Sequence, residues 1–399
     1  MSDQVLVLNI GSSSIKYELL RTATRHRMAV GLVERVGDGR GRLTHRPEGG
    51  EPYERREPYP DHATAMEAVV EAFAAAGPDL ATVRLAAVGH RIVHGGTRFR
   101  EPTLIDEAVI EEIEALAPLA PLHNPAGVTG IRTALRMFPG VPQVAVFDTA
   151  FHATLPPEAY TYAVPRSWAD EHGVRRYGFH GTSYAYVAGR AAKLLGRPLG
   201  ELDLILLHLG NGASAAAVSG GRSIDTSMGM TPVEGLVMGT RCGDVDPLLP
   251  LFLVREAGLR AGEAEEALAK ASGMLALAGE SDMREVWRRA DAGDEGAGLA
   301  LEVYARRIKK YVGAYYALLG RLDAVVFTAG VGEHDTRTRA RSLAGLERFG
   351  IAVDKDRNEA RSTGERVISP PGAEVAVLVV PTDEELEIAR QTLAVVGER

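Results

Sequence analysis

Two arginines in glycine-rich surroundings offer the most chemistry in this sequence. Arg91 lies within Gly89-His90-Arg91-Ile92-Val93-His94-Gly95-Gly96, and Arg241 within Met238-Gly239-Thr240-Arg241-Cys242-Gly243-Asp244. Most surface arginines are simply solvated. A planar, permanently charged fork on glycine-rich backbone also suits the oxygens of a transferring phosphoryl group. Gly11-Ser12-Ser13-Ser14-Ile15-Lys16 adds backbone amides, hydroxyls and a lysine charge, a set that fits phosphate, although Gly-Ser clusters usually mark plain turns. His208, Gly210, Asn211 and Gly212 repeat the device later in the chain. No Walker-type lysine loop and no dinucleotide fingerprint occurs, which argues against the commoner nucleotide folds. His90, His94, His123, His152, His172, His180 and His208 show neither His-Glu-x-x-His spacing nor a cysteine partner, which argues against a zinc enzyme. His180 reads either as a packed or capping histidine or as a functional one. Cys242 lacks a nucleophile signature and reads as a small buried hydrophobe.

Short apolar runs must position these groups. Val5 to Leu8 ends in Asn9 and Gly11, and Ser14 to Leu19 then alternates like the second strand of a hairpin. Leu204 to Leu209, Gly210-Asn211-Gly212 and Ala213 to Val218 give the same pattern again. Two further strands deliver distinctive groups at their carboxyl ends, where ligands gather in α/β sheets. Val144 to Phe147 leads to Asp148, and Ala324 to Thr328 leads to Gly330-Val331-Gly332-Glu333. Helical patterns around Ala65 to Ala75 and Glu263 to Ala271 complete a mixed α/β reading. Gly37 to Pro60 reads as a surface excursion of hairpins and loop. After Val375 to Val380, Thr382 and Glu385 fit a capping box for a helix running to about Val396.

A chain of 399 residues favours two domains with a cleft between them. Apolar residues at 45% and charged residues at 25% are ordinary globular values. A net charge of −8 offers no basic field for nucleic acid, while leaving small anions open. Cys242 is the only cysteine, so no internal disulfide is possible and a reducing, cytoplasmic setting is expected. No apolar run reaches the ~20 residues that span a membrane, and the N-terminal run is too short for a signal-peptide core.

Eight ordered blocks resemble the motifs of the acetate kinase family. They are Asn9 to Lys16, Gly89 to Gly96, Pro121 to Pro125, Phe147 to His152, Arg176 to Ser183, His208 to Gly212, Asp225 to Pro232 and Arg241 to Pro247. The resemblance implies two actin-like, ribonuclease H-like domains with mixed sheets flanked by helices, closing on ATP. Residues 1–150 would form the first domain, completed by a C-terminal helix over 386–399, and 151–385 the second. It implies a homodimer, and the composition adds the expectation of a cytoplasmic protein that binds neither nucleic acid nor membrane. The activity implied is reversible transfer of a phosphoryl group from Mg-ATP to acetate, giving acetyl phosphate and ADP.

By the same resemblance, Arg91 and Arg241 hold acetate and the migrating phosphoryl group, Asp148 aligns the reactants, and His180 donates to that group. Asn9 and Glu384 match the Mg²⁺ residues, acting partly through water, with Mn²⁺ a possible substitute. Ser12, Ser14 and Lys16, with His208, Leu209, Gly210, Asn211 and Gly212, match ATP-binding positions. So do Gly330, Val331, Gly332, Glu333 and His334, while Asp282, Met283 and Arg284 match the adenosine-contact segment. Val93, Leu122, Phe179 and Pro232 match an apolar pocket for the methyl group. The sequence departs from the family at Asp383 and His334, where Asn is usual or frequent, and the stretch Leu275 to Asp282 is short. These departures bear on nucleotide preference and the Mg²⁺ contacts. A kinase for propionate or butyrate is the nearest rival. A nucleotide sensor on the same fold is another, but it has no need for both arginines and an apolar pocket.

Overall fold

The computed structural model describes residues 3–121 and 123–397. Contacts divide the chain into two compact units, 1–151 with 383–399, and 152–382. The last helix, Glu384–Gly397, belongs with the first unit.

The first unit is built on an eight-stranded sheet. Its strands are β1 (Gln4–Ile10), β2 (Ser14–Arg21), β3 (His26–Glu34), β4 (Gly41–Pro47), β5 (Tyr53–Glu57), β6 (Leu85–Ile92), β7 (Thr103–Leu104) and β8 (Gln143–Phe147), in the order β5-β4-β3-β2-β1-β6-β8-β7. β1 and β2 form the expected hairpin, with Asn9 opposite Lys16. β1, β6 and β8 run parallel, with Asn9 beside Arg91 and Arg91 beside Val146. The excursion after Gly37 becomes the hairpin β4–β5, which extends the sheet edge.

β1 is apolar on both faces because both are covered. Leu6 and Leu8 pack with Phe73 and Ala134 from the helices His62–Ala76 and Asn124–Met137. Val5 and Val7 pack with Val144, Val146, Ile388 and Ala389, the last two from the helix Glu384–Gly397. Gly89 lets that helix come close, since a Cβ there would lie 2.5 Å from the Thr392 hydroxyl. The close approach seats the helix start, with Glu384, on the sheet that carries Arg91.

The second unit has a six-stranded sheet. β9 (Asp203–Leu209), β10 (Ala213–Ser219), β11 (Arg222–Thr226), β12 (Ala324–Thr328), β13 (Arg366–Val367) and β14 (Ala376–Val379) take the order β11-β10-β9-β12-β14-β13. β9, β12 and β14 are parallel, while β10 is antiparallel to its neighbours. The core order β3-β2-β1-β6-β8 of the first sheet therefore recurs as β11-β10-β9-β12-β14, the twofold ribonuclease H-like topology. The helices Gly181–Leu195 and Glu295–Leu319 pack against this sheet. Gly330 to His334 belong to a short helix, Ala329–His334, that leaves β12 directly.

Candidate active site

In the first unit, Arg91 ends β6 and Asp148 directly follows β8, so adjacent parallel strands place them side by side. The guanidinium grips the carboxylate through Nε at 3.1 Å to Oδ1 and Nη2 at 2.6 Å to Oδ2. Asp148 is 1% exposed. Burial alone would depress the Arg91 pKa, but Asp148, Glu384 and Glu385 more than reverse this and raise it. Glu384 is raised by burial, with Arg91 and Lys16 pulling down and Asp148 and Glu385 pushing up. Arg91, Asp148 and Glu384 thus form one coupled charge cluster, and Asn9 is the strand neighbour of Arg91.

Lys16 is half-exposed and ion-paired with Glu385, with Glu18 at 3.8 Å, so its charge is shared with the carboxylates beside Glu384. Ser12 is exposed and Ser14 half-buried in the β1–β2 turn, where the Gly11 amide donates to the Ser14 carbonyl at 2.9 Å. Val93 is half-buried just after β6, whereas Leu122 lies outside the described residues. The capping box is corrected. Asp383, not Thr382, accepts from the Leu386 amide at 3.1 Å, and its carboxylate also pairs with Arg27 at 2.6 Å. Thr382 instead shares a hydrogen bond with the Ser183 hydroxyl.

In the second unit, Arg241 is half-buried, yet among the described residues no carboxylate pairs with it. Its Nη1 donates to the Pro232 carbonyl at 3.1 Å, and burial lowers its pKa. An isolated buried cation is costly unless an anion joins it. A Cβ placed on Gly212 would lie 3.5 Å from Arg241 Nη1 and 3.6 Å from His180 Nε2, so the β9–β10 turn, the arginine and the histidine converge. His180 holds a left-handed backbone, φ 59°, at the start of the helix Gly181–Leu195. Such a conformation in a non-glycine residue is a strain often found at functional sites. Its Nδ1 meets the Ser214 hydroxyl at 2.8 Å, and its ring stacks on His208 at 4.1 Å. Phe179, 3% exposed, accepts at its carbonyl from His152.

A cavity of about 720 Å³ opens beside this cluster in the same unit. Gly210, Asn211, Asp282, Met283, Arg284, Gly330, Val331 and His334 line it, so residues far apart in sequence share one wall. The volume is within the usual range for a small-molecule site of ~300–1,000 Å³. His208, Leu209 and Gly332 are buried, and the Glu333 carboxylate accepts from the Thr382 amide at 3.2 Å. Asp282 caps the helix Met283–Asp291 and pairs with Arg284, whose hydrogen bond holds its pKa down to about 2.

Sequence reasoning missed several residues of this wall. Trp287 and Asp335 line the cavity, joined by a 2.7 Å hydrogen bond, and Arg337 lies 3.7 Å above the indole. Arg339, fully buried, binds the carbonyls of Gly332 and Glu333 and fixes the short helix after β12. Trp287 follows Arg284 by one helical turn, a spacing that would have placed it beside the adenosine segment.

A profile of the Acetokinase family matches residues 4–390. The acetate kinase of Streptomyces avermitilis is 58% identical, over 99% of this chain and 98% of its own length. That of Leifsonia xyli is 59% identical over 98% of this chain and 99% of its own. Among solved structures, the acetate kinase of Porphyromonas gingivalis superposes with a TM-score of 0.94 at 45% identity, covering 98% of this chain and 99% of that one. A propionate kinase from Francisella tularensis gives a TM-score of 0.91 at 39% identity with the same coverages. With the profile spanning nearly its whole length, the chain belongs to the acetokinase family.

Proposed function

We propose that this protein is an acetate kinase that moves a phosphoryl group reversibly between ATP and the carboxylate of acetate. The observation that carries the reading is Arg241, a half-buried cation that no carboxylate among the described residues neutralises, converging with His180 at the β9–β10 turn. Acetate is already ionised at neutral pH, so the nucleophile needs no general base. The barrier is electrostatic, because an anion must approach a polyanion. Arg241 and His180 Nε2 supply fixed donors to the phosphoryl oxygens, and Arg91, oriented by Asp148, supplies a second fork. The cavity bounded by Asn211, Met283 and Gly330 takes the nucleoside.

Among the described residues no group of three or more His, Cys, Asp or Glu is arranged to hold a metal. The oxygen donors of Asn9 and Glu384 nevertheless fit Mg²⁺, which takes one or two carboxylates and fills its sphere with water and phosphate oxygens. Burial raises the Glu384 pKa and repulsion from Asp148 and Glu385 adds to it, and a bound cation would offset both. When bound, Mg²⁺ would neutralise phosphate charge. No helix among the described residues is long and apolar enough to cross a membrane. A cytoplasmic homodimer is the expected form, and sedimentation would test the assembly.

Trapping acetyl phosphate with hydroxylamine, from acetate and Mg-ATP, tests the activity; no hydroxamate above the background without enzyme would overturn it. A second reading, propionate as the preferred acceptor, is favoured by the likeness to the F. tularensis propionate kinase. Initial rates with acetate, propionate and butyrate separate the two.

A further inference from the structure

Arg241 lies on a long segment, residues 227–248, that holds no regular element between β11 and the helix Leu249–Glu256. A loop of that length in a packed unit needs something to fix its path, and long loops of this kind are usually functional. The part that carries Arg241 closes at a narrow neck. There the Asp244 amide donates to the Gly235 carbonyl at 3.0 Å, and the Gly235 amide donates to Asp244 Oδ1 at 2.8 Å. Gly235 has φ 107°, and a Cβ on it would lie 2.6 Å from the Ser227 carbonyl oxygen, so the neck admits no side chain there.

One residue from outside the loop binds both sides of the neck. Arg307, on the helix Glu295–Leu319, donates Nη1 to the Gly235 carbonyl at 2.8 Å and Nη2 to the Asp244 carbonyl at 3.0 Å. The same helix sends the Tyr311 hydroxyl to Asp244 Oδ2 at 2.9 Å. A guanidinium is suited to this, because its rigid fork bridges two carbonyls that the single point charge of a lysine cannot hold in one geometry. Within the loop, Arg241 is itself tied by its carbonyl to the Met238 amide and by Nη1 to the Pro232 carbonyl and the Met238 sulfur.

We propose that Arg307 is a positioning residue for phosphoryl transfer, stapling the neck of the Arg241 loop so that the guanidinium of Arg241 is aimed correctly. The proposal rests on the reading of Arg241 as a group that meets the transferring phosphoryl. Misplacing a reacting or stabilising group by about 1 Å costs about 100-fold in rate. Loss of the staple therefore lowers kcat by about 10- to 100-fold.

The test is a double-mutant cycle on the full-length protein, reading kcat and the melting temperature for Arg307→Met, Arg241→Ala and the pair. If Arg307 acts through Arg241, its substitution slows the wild type but barely slows the Arg241→Ala variant. Losses that multiply in the double variant, or a normal kcat for Arg307→Met, overturn the proposal. A near-normal kcat for Arg241→Ala alone overturns the underlying reading of Arg241 instead. Should Arg307→Met fail to fold, Arg307→Lys and Tyr311→Phe carry the same cycle. Each is expected to lose less activity, and again only when Arg241 is present.

Discussion

Arg91 and Arg241 bear the same guanidinium in opposite settings. Arg91 ends a strand, and its fork is occupied by the buried carboxylate of Asp148. Arg241 rides an irregular loop and is bonded only to uncharged acceptors, with burial lowering its pKa. The first arrangement fixes direction at the cost of cancelling part of the charge. The second leaves the charge whole and makes the free protein bear the desolvation. The two arginines are therefore not equivalent: one is pre-oriented by its partner, and the other carries an uncompensated charge that an anion would relieve.

The sharpest way to break this contrast is to remove each arginine. Arg91→Ala and Arg241→Ala should each lower kcat by about 100- to 1,000-fold, the scale for losing one donor to transition-state charge. Their stabilities should part. Arg91→Ala strands Asp148, buried at 1% exposure, and breaking such a pair costs about 3–5 kcal/mol. Arg241→Ala removes an uncompensated, half-buried cation and should leave the melting temperature unchanged or higher. Thermal denaturation of the two variants checks this, and equal destabilisation would erase the distinction between them.

Acid should expose a further difference, because the strand that carries Arg91 also carries His90. That ring is 2% exposed, bonded to Gln143 at 2.6 Å, and burial lowers its pKa from 6.5 to about 4. The unfolded chain takes up a proton near pH 6.5, while the folded one resists until about pH 4. The stability held by neutral His90 is therefore complete above pH 6.5 and lost as pH falls toward 4, to a total of about 3 kcal/mol. His90→Gln should flatten the fall in melting temperature across that window. An unchanged slope would place the acid sensitivity elsewhere.

Much of this was legible in the sequence. Val5 to Leu8 and Ala324 to Thr328 announce buried parallel strands, because residues covered on both faces must be apolar. Once those strands are placed, Asn9 falls at the end of the first and Gly330 just beyond the second. The clamps were not legible. Arg307 stands in Arg306-Arg307-Ile308-Lys309-Lys310, which reads as the solvated face of a helix, and only the approach of a distant loop gives it two carbonyls to bind. Arg339 is hidden for the same reason within Thr336-Arg337-Thr338-Arg339. The cap at the last helix shows how local rules leave ties. Thr382 and Asp383 both suit an N-cap, and Arg27, from β3, bonds the second.

Glu384 tests whether the paired character of the first site has a purpose. Its neighbours are tethered, Asp383 to Arg27 and Glu385 to Lys16, while its own carboxylate has a raised pKa amid other acids. Glu384→Gln should raise the Mg²⁺ concentration for half-maximal rate by about tenfold, in the range seen when groups supporting a metal are removed. Half-saturation for ATP, measured at excess Mg²⁺, should move less. An unchanged Mg²⁺ titration would return Glu384 to a purely structural role in the first turn of its helix.

The smallest effect concerns the acceptor. Val93 follows Arg91 by two residues and is half-buried, so a change there alters the wall beside the pre-oriented arginine without touching its bond to Asp148. One methylene in an apolar pocket is worth about 1–3 kcal/mol of discrimination. Val93→Ala removes two methyl groups' worth of wall, and relaxation of the site returns part of the space, so the expected gain lies at the low end. The ratio of kcat/KM for propionate over acetate should rise by about five- to tenfold, with kcat for acetate little changed. A fixed ratio would mean that Val93 does not face the acceptor. A large fall in acetate kcat would mean that the substitution had moved Arg91, and that the strand end is less rigid than its grip on Asp148 implies.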